Sequence, residues 1–218
     1  RLPAFFVPGT SVMAFLRRLY RLPLLLLLLV LGLLCLILIQ PWLPLQGRRS
    51  MVRAWSWAFL RVCGVRVNET WAGEGPARTL AELAPGRMII SNHVSWLDVF
   101  AINAQAASAF VAKAEIQRWP VVGWLVSLAG TVFIKRGDTQ AIPDVIRQMR
   151  ERLSQGYPVA LFPEATTHVG PTLRKFHGKL LQAAIDEQAE LVPLGIQFLY
   201  ADGSPAEAAW YVGDTTFA

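Results

Sequence analysis

The stretch Met88-Ile89-Ile90-Ser91-Asn92-His93-Val94-Ser95-Trp96-Leu97-Asp98 reads as a buried strand that breaks into a turn and restarts as a helix near Ser95. In a regular helix, five residues rotate a side chain by about 500°, roughly 140° off alignment, so His93 and Asp98 would not share a face. A strand-to-helix turn between them removes that obstacle. Asp98 then holds one imidazole nitrogen and fixes the tautomer, leaving the other nitrogen as a general base. This is the base-and-orienter half of serine-hydrolase logic with no serine demanded.

Working outward, the pattern of that first unit repeats. Phe110–Ala112, Val132–Ile134, Val159–Phe162 and Leu191–Ile196 are short apolar runs with turn signals nearby, and Val65, Val67 and the residues to Trp71 alternate like a half-exposed strand. Ile142, Val145, Ile146, Met149 and Leu153 fall on one helical face, with Pro143 suited to its first turn and Gly156 to its C-terminus. Strands separated by helices predict an α/β fold, a mainly parallel mixed sheet flanked by helices, over residues 65–218. The β-like Trp210-Tyr211-Val212 lies close to Ala218, which predicts a trimmed C-terminus.

Composition explains what precedes this body. The 218 residues are 54% hydrophobic and 17% charged, with a mean hydropathy of +0.39. Soluble domains run about 45–50% apolar and about 25% charged, so the surplus needs a membrane or a large buried cavity. Much of it lies in Leu22–Ile39, eighteen residues without a charge. At helical rise these cover about 27 Å against a hydrocarbon core of roughly 30 Å, so the segment can span, or dip in and return. Pro23 suits its first turn, and Gln40, Pro41, Trp42 and Pro44 end it near an interface. Residues 1–47 therefore read as an N-terminal hydrophobic membrane-anchoring helix. Residues 48–64, mixing Arg48, Arg49, Arg53 and Arg61 with Trp55, Trp57, Phe59 and Leu60, read as an interfacial amphipathic helix. The same mixture also suits a surface helix packing its aromatics on the body.

Charge supports this organisation. There are 21 Lys+Arg against 15 Asp+Glu, a net +6, and the pI is near 9.8. Arg17, Arg18, Arg21, Arg48, Arg49 and Arg53 flank the apolar segment, a pattern suited to anionic lipid and not to nucleic acid. Cys35 and Cys63 form no C-x-x-C pair and read as reduced, which fits a catalytic part on the cytoplasmic face. No G-x-S-x-G elbow is present and neither cysteine has a histidine near it in sequence, so the nucleophile is expected from the substrate, most simply as a hydroxyl. No spacing of Cys, His or carboxylates matches a zinc site, so no metal is expected even with His168 and His177 in one loop.

The chain resembles the glycerolipid acyltransferases that include lysophosphatidic acid acyltransferases. The match runs through Asn92-His93-Val94-Ser95-Trp96-Leu97-Asp98, then Phe110-Val111-Ala112-Lys113-Ala114-Glu115 with Pro120 and Gly123-Trp124. It continues through Gly130-Thr131-Val132-Phe133-Ile134-Lys135-Arg136, Phe162-Pro163-Glu164-Ala165-Thr166 and Val192-Pro193-Leu194. The resemblance implies transfer of a fatty acyl group from an acyl-CoA or acyl-carrier-protein thioester to a lysolipid hydroxyl at a membrane, with no bound cofactor. His93 and Asp98 are then the catalytic residues. Lys135 and Arg136 would meet an anionic headgroup or donor phosphates, and Glu164, with Ala165 and Thr166, would position the acceptor.

Two departures bear on the acceptor. The family's Phe-Pro-Glu-Gly-Thr motif is usually followed by Arg or Ser, whereas this chain has Ala165 in place of the glycine and Thr167 after Thr166. If glycine there supplies a positive φ, Ala165 implies a different turn; if it only permits close approach, a methyl is tolerated. Loss of the arginine removes a phosphate partner, for which Arg174 and Lys175 could substitute. The main expectation is 1-acyl-glycerol-3-phosphate as acceptor, giving phosphatidic acid. The alternatives are lyso-ornithine lipid or another non-phosphate lysolipid, and a catalytically silent lipid-binding protein. Val121, Val122, Trp124, Leu125 and Leu128 are candidates for an acyl-chain groove, or for ordinary core.

Overall fold

The structure is a computed structural model and describes residues 10–135, 137–169 and 172–211. The apolar run lies within a longer helix, α1 (Thr10–Leu34), which continues as a wider π turn over Cys35–Ile39 and a 3-10 turn over Gln40–Trp42. Leu19–Trp42 is long and apolar enough to cross a membrane, with a mean hydropathy of 3.3 in its most apolar eighteen-residue window. Pro23 is inside α1, not in its first turn. The preceding residues from Thr10 contain no glycine or proline and extend the helix upstream, so Pro23 instead deprives the Leu19 carbonyl of an N–H donor.

After a tight reversal closed by Arg48, whose Nε donates to the Leu43 carbonyl at 3.0 Å, α2 (Leu45–Cys63) returns antiparallel to α1. At mid-length the Trp55 indole N–H donates to the Leu28 carbonyl at 2.9 Å. Gly32 makes room for that indole, since a Cβ there would stand 2.5 Å from its nitrogen. α2 ends on Gly64 at φ +83°, with the Val65 N–H reaching back to the Leu60 carbonyl, a left-handed cap that favours glycine. The aromatics of α2 divide between two environments. Trp55 and Phe59 pack against Phe100 of the body, whereas Trp57 faces outward under the Arg61 guanidinium.

The body follows as α3 (Leu80–Leu83), β1 (Met88–Ser91), α4 (Leu97–Gln105), β2 (Ala109–Lys113), α5 (Val122–Leu128) and β3 (Val132–Ile134). It is completed by α6 (Ile142–Ser154), β4 (Val159–Leu161), α7 (Gln182–Asp186) and β5 (Leu191–Leu194). The sheet order is β3-β2-β4-β1-β5, and every described pairing is parallel. Side chains alternate between two apolar faces. Met88, Ala109, Val159 and Leu161 pack under α6 and α7, while Ile89, Phe110 and Ala160 pack on the other face with α3 and α4. A sheet buried on both faces is the reason its strands read as continuous apolar runs.

Val65–Trp71 forms no strand. Val65 and Val67 instead pack into the cluster of Phe59, Leu60 and Leu97 between α2 and α4, where burial without a ladder satisfies the same alternation. Trp210 and Tyr211 likewise form no strand, and Tyr211 donates its N–H to the Val94 carbonyl at 3.0 Å.

Connections leave β1 and β4 in opposite directions. The chain from β1 runs through α4 to β2, beyond β4, and the chain from β4 runs through α7 to β5, beyond β1. These two strands are adjacent and their helices lie on opposite faces, so the chain diverges above their carboxyl ends and leaves the crevice where open parallel sheets hold ligands.

Gly32→Val should wedge the hairpin apart. A branched side chain forced against the pinned Trp55 is expected to lower stability by about 1–3 kcal/mol in detergent, read by thermal or chemical denaturation, with increased proteolysis between α1 and α2.

Candidate functional site

At the carboxyl end of β1, Asn92 forms a reciprocal pair with the exit of β5: its Nδ2 donates to the Ile196 carbonyl at 2.9 Å and its Oδ1 accepts the Ile196 N–H at 2.7 Å. This clamp holds the loop that carries His93. The chain then turns into α4, with the buried Ser95 hydroxyl accepting the Leu97 N–H at 3.3 Å and its carbonyl accepting the Asp98 N–H at 3.1 Å.

Asp98 lies in the first turn of α4 with no exposed surface. Its Oδ2 accepts three hydrogen bonds: from His93 Nδ1 at 2.8 Å, from the Val94 N–H at 2.7 Å and from the Ser95 N–H at 2.9 Å. The two backbone donors occupy the carboxylate oxygen in acceptor geometry, so Nδ1 carries the proton toward it. Nε2 of His93 is then the ring atom with an open lone pair. One face of the imidazole stacks on Phe162 at 4.0 Å between centroids and 12° between planes, and the side chain retains 19% of its surface. The ring is therefore fixed on one edge and one face while still open to a substrate.

The strand-to-helix turn thus brings His93 and Asp98 together as the sequence requires. The N–H groups of Val94 and Ser95, in the turn before α4, are committed to Asp98, and that of Leu97 goes to the Ser95 hydroxyl. A carboxylate in the first helical turn draws nearby unpaired donors to itself.

The loop after β4 closes the other side of the crevice. Glu164 is buried, at 7% exposure, and its Oε2 accepts the Arg174 N–H at 3.2 Å. Ala165 takes φ +56°, and its N–H closes a turn onto the Phe162 carbonyl at 2.9 Å. The position thus uses a left-handed backbone with an alanine in it. The His168 N–H donates to the His93 carbonyl at 2.7 Å and ties this loop to the catalytic one. Thr166 is half-buried between these tethers.

Lys135 follows β3 at the edge of the sheet, three strands from β1 and so about 14 Å away at the usual strand spacing, and its side chain is exposed. It shares the carboxyl edge with His93 without touching it. Arg136 lies outside the described residues. Val121, Val122, Trp124 and Leu128 turn outward, Trp124 with 64% of its surface exposed, so they form neither core nor an enclosed groove. Among the described residues no three His, Cys, Asp or Glu side chains are arranged to hold a metal ion. Burial raises the Cys63 thiol above its ordinary range, with Arg21 partly opposing, which makes it a poor thiolate.

Two positioning residues carry no sequence signal of their own role. Asn92 acts on a residue 104 positions away, and Phe162 reads as ordinary strand. Their only marker is adjacency to His93 and to Pro163-Glu164.

With this geometry in place, comparison with known proteins is informative. Residues 78–197 match the model of the family described as Acyltransferase. The chain is 35% identical to a lyso-ornithine lipid O-acyltransferase of Pseudomonas aeruginosa, over 72% of this chain and 58% of that protein. It is 41% identical to a 1-acyl-sn-glycerol-3-phosphate acyltransferase of Neisseria gonorrhoeae, over 56% of this chain and 48% of the relative. The chain thus spans about half the length of these relatives. A similar fold occurs in the crystal structure of the 1-acyl-sn-glycerophosphate acyltransferase from Thermotoga maritima, with a TM-score of 0.56 and 20% identity over 81% of this chain and 74% of that one.

Ala165→Gly should change stability by less than about 1 kcal/mol in chemical denaturation, because relief of the left-handed alanine and the added unfolded-state entropy of glycine oppose each other. Asn92→Ala removes two hydrogen bonds at once and should cost about 1–3 kcal/mol in the same measurement.

Proposed function

The chain belongs to the acyltransferase family, and on that premise we propose that it moves a fatty acyl group from an acyl-thioester to the free hydroxyl of a lysolipid. The observation that carries this reading is the fixed His93–Asp98 pair, with Nε2 open above the divergence of β1 and β4. His93 Nε2 takes the acceptor's hydroxyl proton as the oxygen attacks the thioester carbonyl. The tetrahedral adduct collapses, the C–S bond breaks, and the imidazolium returns the proton to the leaving thiolate. Asp98 keeps the tautomer and stabilises the transient imidazolium through the hydrogen bond at Nδ1. Acyl-CoA or acyl carrier protein supplies the thioester, and no bound cofactor takes part.

The acceptor is a membrane lysolipid, with 1-acyl-glycerol-3-phosphate as the first reading. Glu164, Ala165 and Thr166 line its approach from the β4 side, and Lys135, which Arg136 follows in sequence, supplies positive charge farther along the same edge. Lyso-ornithine lipid is the second reading. It is favoured by the similarity to the Pseudomonas aeruginosa protein and by Thr167 standing where an arginine would grip a phosphate.

Membrane attachment comes from α1. Leu28, inside its apolar run, is hydrogen-bonded to Trp55 on a helix docked to α4, so an upright span would drag α2 and the edge of the body into hydrocarbon. The reading is that α1 lies along the body with its exposed leucines in one leaflet and the amphipathic α2 at the interface, the catalytic domain on the cytoplasmic face.

Two assays test this. His93→Ala should abolish thioester-dependent acylation of lysolipid while membrane attachment persists; undiminished turnover would refute the mechanism and leave a lipid-binding protein. Asp98→Asn keeps an oxygen to accept the two backbone N–H groups and Nδ1 but removes the negative charge that stabilises the imidazolium, and should lower kcat by about 10²–10⁴-fold with little loss of fold. Running both lysolipids as acceptors with the intact chain identifies the headgroup.

A further inference from the structure

At the amino-terminal edge of the sheet, opposite His93, three arginines converge on a cavity of about 290 Å³. Arg48 and Arg49 come from the start of α2 and Arg152 from the last turn of α6. Ser108 before β2, Gly130 before β3 and Tyr157 before β4 complete the walls. No carboxylate lines the cavity, and none of the three arginines is ion-paired with a described residue.

The guanidinium groups of Arg49 and Arg48 are held in place without being used up. Arg49 donates from Nη2 to the Gly156 carbonyl at 2.6 Å and lies over the Tyr157 ring at 4.3 Å, while its Nε is buried with no partner. Arg48 spends Nε and Nη2 on the Leu43 and Pro41 carbonyls. Three like charges around one cavity repel each other, and an anion seated among them removes that cost. Guanidinium forks match the oxygens of a phosphate in particular.

The position of the cavity identifies the source of the phosphate. Gln40, in its wall, directly follows the apolar segment, and its Nε2 donates to the Leu128 carbonyl at 3.0 Å, joining the end of the anchor to α5. Leu128 also lines the cavity, and Ile39 and Trp42, on either side of the turn through Gln40, are exposed apolar side chains, Trp42 at 87%. A headgroup in the cavity therefore has a bare apolar surface for its chains within the same stretch of protein. We propose that Arg48, Arg49 and Arg152 form a binding site for the phosphate of an anionic phospholipid, separate from the acceptor's crevice at the other edge of the sheet. The site requires α1 in the membrane but not the acyl-transfer chemistry.

The test uses the full chain with vesicles of phosphatidylcholine alone or mixed with phosphatidylglycerol, followed by flotation. Arg152→Gln should lower the preference for phosphatidylglycerol about tenfold or more, as loss of charged hydrogen bonds implies. Arg53→Gln, which removes an exposed cation of α2 outside the cavity, should lower it no more than about fivefold. Arg152→Lys should fall between wild type and Arg152→Gln, since it keeps the charge without the fork. Binding to pure phosphatidylcholine and acyl transfer in detergent should stay unchanged in Arg152→Gln, which separates this site from the anchor and from catalysis. If that variant melts early, Arg48→Gln is read in the same way. Equal losses in Arg152→Gln and Arg53→Gln would reduce the effect to diffuse attraction and overturn the proposal. So would a wild-type chain that shows no preference for phosphatidylglycerol yet is stabilised against heat by inorganic phosphate through Arg152, since that outcome assigns the cavity to a soluble anion.

Discussion

A single carboxylate oxygen organises the centre of this protein. Asp98 Oδ2 receives the imidazole N–H of His93 and two consecutive backbone N–H groups. Those bonds set the path of the chain from β1 into α4 and select the tautomer of His93. Because all three donors converge on a fully buried atom, the turn, the helix start and the His93–Asp98 pair form as one unit. The carboxylate is costly to bury unless every one of these partners is present.

The sheet positions this unit through topology. β1 and β4 lie side by side, and their following helices depart to opposite faces. Without a helix crossing above them, the ends of both strands stay open. His93 enters from one, and Phe162 with Glu164 from the other, and the stack of Phe162 on the imidazole joins the two. The loop after β4 is fastened back by the His168 N–H on the His93 carbonyl. The left-handed backbone at Ala165 keeps the turn that glycine would otherwise make, and the methyl is accommodated at an exposed position.

A second chain of contacts couples this body to the apolar helix. α1 is hydrogen-bonded to Trp55, Trp55 stacks with Phe59, and both rings meet Phe100 of α4, the helix whose first turn holds Asp98. The apolar helix is therefore mechanically continuous with the turn that holds His93. At its other end, the reversal between α1 and α2 carries the arginines that line the opposite edge of the sheet. The position of the crevice relative to α1 is therefore set by rigid packing and not by a flexible tether.

The sequence by itself determined the features that rest on local pattern. Apolar runs of three to six residues marked five strands, 3.6-residue spacing marked α6, an uncharged stretch marked the anchor, and a histidine five residues before an aspartate demanded the turn that joins them. Local pattern failed where tertiary packing offered another way to bury the same residues. Val65–Trp71 alternates like a strand yet packs between helices, Pro23 lies inside a helix, and the outward side chains of α5 are too exposed for a groove. Only the tertiary structure decided the strand order, the Asn92 clamp on Ile196 and the placement of Phe162 against His93. The convergence of Arg48, Arg49 and Arg152 belongs with these. Each joins residues far apart in the chain, and such contacts leave no periodicity in sequence because their partners are chosen by the way whole elements stack.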